Sequence, residues 1–304
     1  MRILVATDGS IGADAAMKWL ESFPLPENAA VEVISASGLP FAAEAVITKG
    51  WRQLLAESER VVDQARAQLA KRWTTVAGRT LDGDARDAII AAAKQGKADL
   101  IVVGARGLGA VASFLLGSVS LAVSRDAPCA VLVCHGRARP VRKVIIAHDG
   151  SPDARTAVDF CCQLPFAADA TVYLVGVVEP APYPATAPEV IEPELRGLLR
   201  DIENEKRSKL TSALDEAAAI LRRHVRAVDI VMPKSMAAAM ILEAARAHDG
   251  NLIVVGARGH GGLKRMALGS VSESVLHQAK CPVLVVRQPR MLDRHAAIAI
   301  ESVS

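Results

Sequence analysis

Apolar residues along this chain alternate between two patterns. Short aliphatic runs read as buried strands, and longer stretches with apolar residues every third or fourth position read as helices. The first run lies in MRILVATDGS and predicts a strand from the chain start; residues 12–22 then read as a helix. AAVEVISA (29–36) is a second strand, 51–72 a long amphipathic helix and TTVAGRTL (74–81) a third strand. DARDAIIAAAKQG reads as a helix stopping at Gly96, followed by the strand DLIVVG, the helix GSVSLAVSRD and the strand AVLVC. From residue 143 the same order returns, with a longer helix at about 190–223. Strands alternating with helices imply right-handed crossovers and an α/β fold with a parallel sheet covered on both faces.

The recurrence is an internal repeat. ILVATDGS (3–10) returns as VIIAHDGS (144–151), and DLIVVGARG (99–107) as NLIVVGARG (251–259). Residues 99–134 align with 251–286 without a gap and share 20 of 36 positions. Two units follow, 1–135 and 143–289, with the polar segment 136–142 as linker and 290–304 as a tail. Each unit has an ordinary domain size. The fold expected is therefore two doubly wound, five-stranded parallel sheets, one per unit. The fifth strands, AVLVC and PVLVV, are aliphatic and terminal. An unpaired apolar edge invites association, so the halves are expected to join there as an intrachain pseudo-dimer.

Composition narrows the function. Of 304 residues 51% are apolar but only 3% aromatic, so the cores are aliphatic. The net charge of +3 supplies no broad basic surface for nucleic acid. No run reaches the ~18–20 apolar residues of a membrane span, and the N-terminus has no signal-peptide pattern. Cys129, Cys134, Cys161, Cys162 and Cys281 form no CxxC pair. They read as reduced thiols of a cytoplasmic protein, with Cys129 and Cys281 at equivalent packing positions. No metal site is expected.

The candidate chemistry lies at two strand ends. The first strand of each half runs into Asp8-Gly9-Ser10 or Asp149-Gly150-Ser151. The fourth runs into GARGLGAVASFLLGS (104–118) or GARGHGGLKRMALGS (256–270), which share the frame G-x2-G-x9-G-S and little of their filling. Gly104, Gly107, Gly256 and Gly259 lack a Cβ that would bar a ligand from the backbone. Gly117-Ser118 and Gly269-Ser270 stand at helix starts, where free N–H groups and the dipole suit phosphate. Ser118, Ser120, Ser270 and Ser272 add hydroxyls, and Asp8 and Asp149 are placed to accept from a ribose. Such a cradle works through backbone amides, which is why its filling can drift. Arg106 and Arg258 have two readings, phosphate contact and loop cap. Lys264 and Arg265 also have two readings, a solvated face and a positive field that the first loop lacks; the field predicts tighter binding in the second half.

On these residues, the strand-end Asp, GARG, the nine-residue spacer, Gly-Ser-Val-Ser and the closing PVLVV, the chain resembles a tandem universal stress protein. The resemblance implies strand order 3-2-1-4-5 in an adenine-nucleotide α-hydrolase-like fold. It also implies an ATP-type ligand, with or without Mg, between the first and fourth strands, a stress-response role in the cytoplasm, and a possible homodimer. The second half departs from the pattern in MPKSMAAAM, where the first has LDGDARDA.

Three functions remain open at this point: a nucleotide-binding regulatory protein with little or no turnover, a ligand-free scaffold, and an ATP-dependent transferase. No GxxxxGK[ST] or HxGH stretch is present, and no catalytic residue is assigned. His148, beside Asp149 where the first half has Thr7, reads as structural or ribose-adjacent.

Overall fold

The computed structural model describes residues 1–36, 49–107, 116–178, 193–233, 235–260 and 268–288. The first half runs β1 (Arg2–Ala6), α1 (Ile11–Ser22), β2 (Ala30–Ala36), α2 (Lys49–Leu69), β3 (Val76–Leu81), α3 (Ala85–Gln95), β4 (Leu100–Gly104), α4 (Ser118–Asp126) and β5 (Ala130–Cys134). The second runs β6 (Lys143–Ala147), α5 (Pro152–Cys162), β7 (Thr171–Val175), α6 (Pro193–Leu221), β8 (Ala227–Val231), α7 (Ala237–Ala247), β9 (Leu252–Gly256), α8 (Ser270–Gln278) and β10 (Val283–Val286).

The strands form one sheet in the order β3-β2-β1-β4-β5-β10-β9-β6-β7-β8. Each half thus has the order 3-2-1-4-5, but the expectation of two separate sheets is corrected. β5 and β10 pair antiparallel, Val131 opposite Val285 and Val133 opposite Val283, and every other pairing is parallel. Backbone groups on two apolar edges satisfy one another, so docking the halves merges their sheets.

That antiparallel seam fixes the rest. The C-terminal strand ends of the two halves point to opposite ends of the sheet. The end of β5 therefore lies at the same end as the start of β6, three strand spacings away, roughly 14 Å. Residues 135–142 cover that gap easily, since an extended chain of this length reaches roughly 27 Å. Asn251 holds this segment: its Nδ2 donates to the Pro140 carbonyl (2.7 Å), and its Oδ1 accepts from Arg142 N and Lys143 N. Val141 is buried against the core.

Strand alternation sends side chains to two cores. Leu100 and Val102 of β4 join Trp19, Val62, Leu210 and Leu214 beneath α1, α2, α5 and α6. Ile101 and Val103 face α3, α4, α7 and α8 with Val123, Ile241 and Val275. Each core runs through both halves.

A buried cation crosses the seam on the second side. Arg287, just past β10 and 7% exposed, donates to the carbonyls of Arg125 (3.0 Å), Ala127 (2.9 Å) and Ser124 at the C-terminus of α4. It satisfies the carbonyls a helix end leaves over and meets the negative end of the dipole. The equivalent position past β5 is His135, whose Nε2 is buried without a hydrogen-bond partner among the described residues.

Candidate functional site

Each half places its strand-end turn and its glycine loop at the crevice between two central strands. β1 lies between β2 and β4, and β6 between β7 and β9. The chain leaves the first strand toward one side and reaches the fourth on the other. This reversal of winding opens a crevice at the strand C-termini, the usual ligand position in doubly wound sheets.

The turn after the first strand is built the same way twice. Gly9 and Gly150 have φ of +70° and +83°, a region that favours glycine. Asp8 Oδ1 accepts from Ser10 N at 3.0 Å, and Asp149 Oδ1 from Ser151 N at 2.9 Å. Ser10 and Ser151 then cap α1 and α5, accepting from Ala13 N and Ala154 N. Their hydroxyls also donate to the carbonyls of Arg106 and Arg258, which ties the turn to the glycine loop. The glycine N–H has an acceptor in both halves, Thr7 Oγ1 at 3.3 Å and His148 Nδ1 at 3.2 Å. Gly9, Gly150 and Thr7 were not among the predicted binding residues, although Asp-Gly directly after a strand was the available signal; His148, read as structural or ribose-adjacent, has a structural role here.

The glycine loop closes at its neck. Gly117 N donates to Ala105 O (2.8 Å), and Gly269 N to Ala257 O (2.7 Å). Beyond the neck, α4 and α8 begin at Ser118 and Ser270 with no side-chain cap on either, whereas Ser10, Asp84 and Ser151 cap α1, α3 and α5. Ser118 and Ser270 are exposed. Among the described residues, no side chain takes up the first-turn N–H groups of either helix, which suits an acceptor from outside.

The glycines have distinct reasons to be small. A Cβ on Gly107 would stand 2.5 Å from Asp8 Oδ2, and one on Gly259 2.4 Å from Asp149 Oδ2. In each half, then, the glycine and the exposed strand-end carboxylate share one mouth. Gly104 and Gly256 differ from expectation. Their missing Cβ makes room for the first turn of α1 (Gly12 O, 2.4 Å) and of α5 (Ala154 N, 2.9 Å). Helix packing, not ligand approach, sets them. Ser120 and Ser272 are buried and donate to the carbonyls of Gly104 and Gly256, each at 2.6 Å. Their hydroxyl protons stay inside the loop base.

Beside the glycine loop the halves differ in a buried acid. Gly12 of the first half corresponds to Asp153, 3% exposed. Arg258 Nε donates to Asp153 Oδ2 at 3.0 Å, and Gln288 N to Asp153 Oδ1 at 3.1 Å. Of the two readings for Arg258, this geometry matches the loop anchor. Asp153 was missed because only aligning the two copies exposes an acid at an otherwise buried helix start. Lys264 and Arg265 lie outside the described residues.

The thiols are buried or half-buried. Burial pushes Cys129 up to about 12 and Cys281 up to about 11, and raises Cys134, Cys161 and Cys162 as well. Among the described residues no group of three or more His, Cys, Asp or Glu is arranged to hold a metal ion. No described helix is long and apolar enough to cross a membrane.

The profile of the universal stress protein family matches residues 1–135 and again 140–287. The chain belongs to the universal stress protein family. Universal stress protein Rv1996 of Mycobacterium tuberculosis is 28% identical over 326 residues, spanning 95% of each chain. Universal stress protein Rv2005c of the same species is 29% identical over 305 residues, 94% of this chain and 97% of its own. The crystal structure of a universal stress protein from Archaeoglobus fulgidus has a TM-score of 0.64 at 19% identity, over 94% of this chain and 98% of that one. At that identity the likeness speaks for the fold alone.

Proposed function

We propose that this protein is a nucleotide-binding regulatory member of its family that holds an ATP-type ligand in each half and turns it over slowly or not at all. The observation that carries the reading is the pair of uncapped helix starts, α4 and α8. Each opens beside a glycine and an exposed strand-end carboxylate at the sheet's switch point. Open N–H groups and a helix dipole favour a phosphate. Gly107 and Gly259 leave the backbone approachable, and Asp8 and Asp149 retain lone pairs to accept from a ribose hydroxyl. These residues fit the phosphate and ribose of the ligand. Ser118 and Ser270 would add hydroxyl donors at the phosphate end. No residue is assigned to Mg.

Binding rather than turnover is the better reading because the cradle is made of backbone amides, and among the described residues none is placed as a base aimed at a nucleophile. The units that bind are taken as 1–135 and 143–289, within a stress-response role and a cytoplasmic setting. The test is equilibrium dialysis of the purified full chain against ATP, with nucleotide content of the native protein read by mass spectrometry. Up to two ATP per chain and hydrolysis no faster than the blank are expected. No binding at millimolar ATP would favour the ligand-free scaffold.

A further inference from the structure

The two strand-end turns are superposable in role but not in chemistry. In both, the N–H of the left-handed glycine is held by the side chain two residues earlier. Thr7 Oγ1 does this in the first half and His148 Nδ1 in the second. A threonine hydroxyl accepts at every accessible pH. An imidazole Nδ1 accepts only while it carries no proton, so the bond to Gly150 N fixes the neutral tautomer with its proton on Nε2. Between Ala147 and Gly150 lies Asp149, whose Oδ1 and Oδ2 hold Ser151 N and His260 N. Whatever holds Gly150 therefore also fixes the carboxylate at the mouth.

We propose that His148 makes the second half's nucleotide site a proton-released latch: neutral His148 fastens the Asp149-Gly150 turn, and acid unfastens it, while Thr7 leaves the first half indifferent to pH. The proposal rests on the nucleotide reading above and adds its regulation. A protonated Nδ1 would face the Gly150 N–H donor to donor inside a buried pocket, since His148 is 3% exposed.

Four ionisable groups face the imidazole. Asp149 belongs to the turn, Arg155 to α5, Glu216 to α6 and His260 to the loop after β9. Burial is the largest influence and holds the imidazole below its ordinary 6.5; Asp149 and Glu216 oppose it, while Arg155 and His260 reinforce it. The neutral form is thus the resting one at pH 7. The latch opens only as pH falls below the ordinary value.

Two measurements on the full chain test this. The first follows the backbone amides of Gly9 and Gly150 by ¹⁵N NMR without nucleotide, from pH 7.5 to 5. Gly150 is expected to shift together with the His148 ring nitrogens while Gly9 stays still. The second measures ATP affinity over the same range in chains where Gly107→Val or Gly259→Val silences one half. The second half should weaken by roughly tenfold or more in acid. The first half reports the protonation of ATP itself. His148→Thr should bring the second half's profile onto that of the first. A Gly150 amide that does not respond, or an acid loss that survives His148→Thr, overturns the latch. Failure of ATP to bind either half at pH 7.5 overturns the nucleotide reading instead, and with it the latch as a regulator of binding.

Discussion

The Asp149 carboxylate occupies the space that a side chain at residue 259 would need. A Cβ there would stand 2.4 Å from Oδ2, and the same relation holds between Asp8 and Gly107 at 2.5 Å. The carboxylate cannot swing freely away, because Ser151 N and His260 N both donate to it. Glycine at this position therefore preserves the acid's placement as well as an open backbone.

Gly259→Ala is expected to weaken ATP binding in the second half by roughly tenfold, about 1.4 kcal/mol. Gly259→Val should abolish it. Isothermal titration of each variant in a Gly107→Val background reads the second half alone. Unchanged affinity in Gly259→Ala would mean that the carboxylate does not need this placement.

Much of this arrangement was legible in the residues. The repeat, the strands and the paired strand-end motifs could be read directly, because buried parallel strands are continuous aliphatic runs and Asp-Gly marks a turn after one. What could not be read was anything set by distances between separate elements. Gly104 and Gly256 looked like ligand-facing glycines, yet it is α1 and α5 that approach them. Ser120 looked like a phosphate donor, yet the sheet end it caps lies 16 residues back, at Gly104. Apolar fifth strands predicted association of the halves, but side-chain pattern alone does not distinguish packed sheets from a shared one. The helix stop expected at Gly96 is found, with α3 ending at Gln95 and Gly96 as its C-cap, but Gly96 is not the left-handed residue. There the left-handed residue is Lys97, with φ of 48°, matched by Asp249 at 51° in the second half.

Arg287 should be the seam's most sensitive side chain. It donates to three carbonyls at the end of α4, across the boundary between halves. Arg287→Ala would leave those buried acceptors without a donor, at a cost of about 2–3 kcal/mol. Arg287→Lys should recover part of the loss, since an ammonium keeps the charge but not the fork. Urea denaturation midpoints of the full chain check both. A fall under about 0.5 kcal/mol for Arg287→Ala would show the carbonyls to be hydrated instead.

Asn251 and Asp99 occupy equivalent positions and need different chemistry. Asp99 only accepts, from Arg2 N at 2.7 Å. Asn251 accepts from Arg142 N and Lys143 N and also donates to Pro140 O. Asn251→Asp turns that donor into an acceptor facing a carbonyl and should cost about 1–2 kcal/mol. Asp99→Asn keeps its acceptor and should cost far less. Thermal unfolding of the two variants side by side makes the comparison. Equal losses would mean that the Pro140 bond contributes nothing.

His135 carries a stability that depends on pH. It takes the place of Arg287 at the other end of the seam, but its Nε2 is buried with no partner among the described residues. Burial, reinforced by the charge of Arg106, holds its pKa down to about 4, from 6.5. The unfolded chain therefore binds this proton first as pH falls. A depressed folded-state value contributes stability that is whole above pH 6.5 and is lost progressively between 6.5 and 4. His148, also depressed, adds to the loss in the same direction. Urea midpoints should hold steady from pH 8 to 7 and decline from 6.5 to 5, above the range where most carboxylates titrate. His135→Gln carries no titrating group and should decline less steeply over that window, with the remainder removed by adding His148→Thr. If the His135→Gln slope matches that of the parent chain, the imidazole is reached by water in the folded protein and the seam is open at that end.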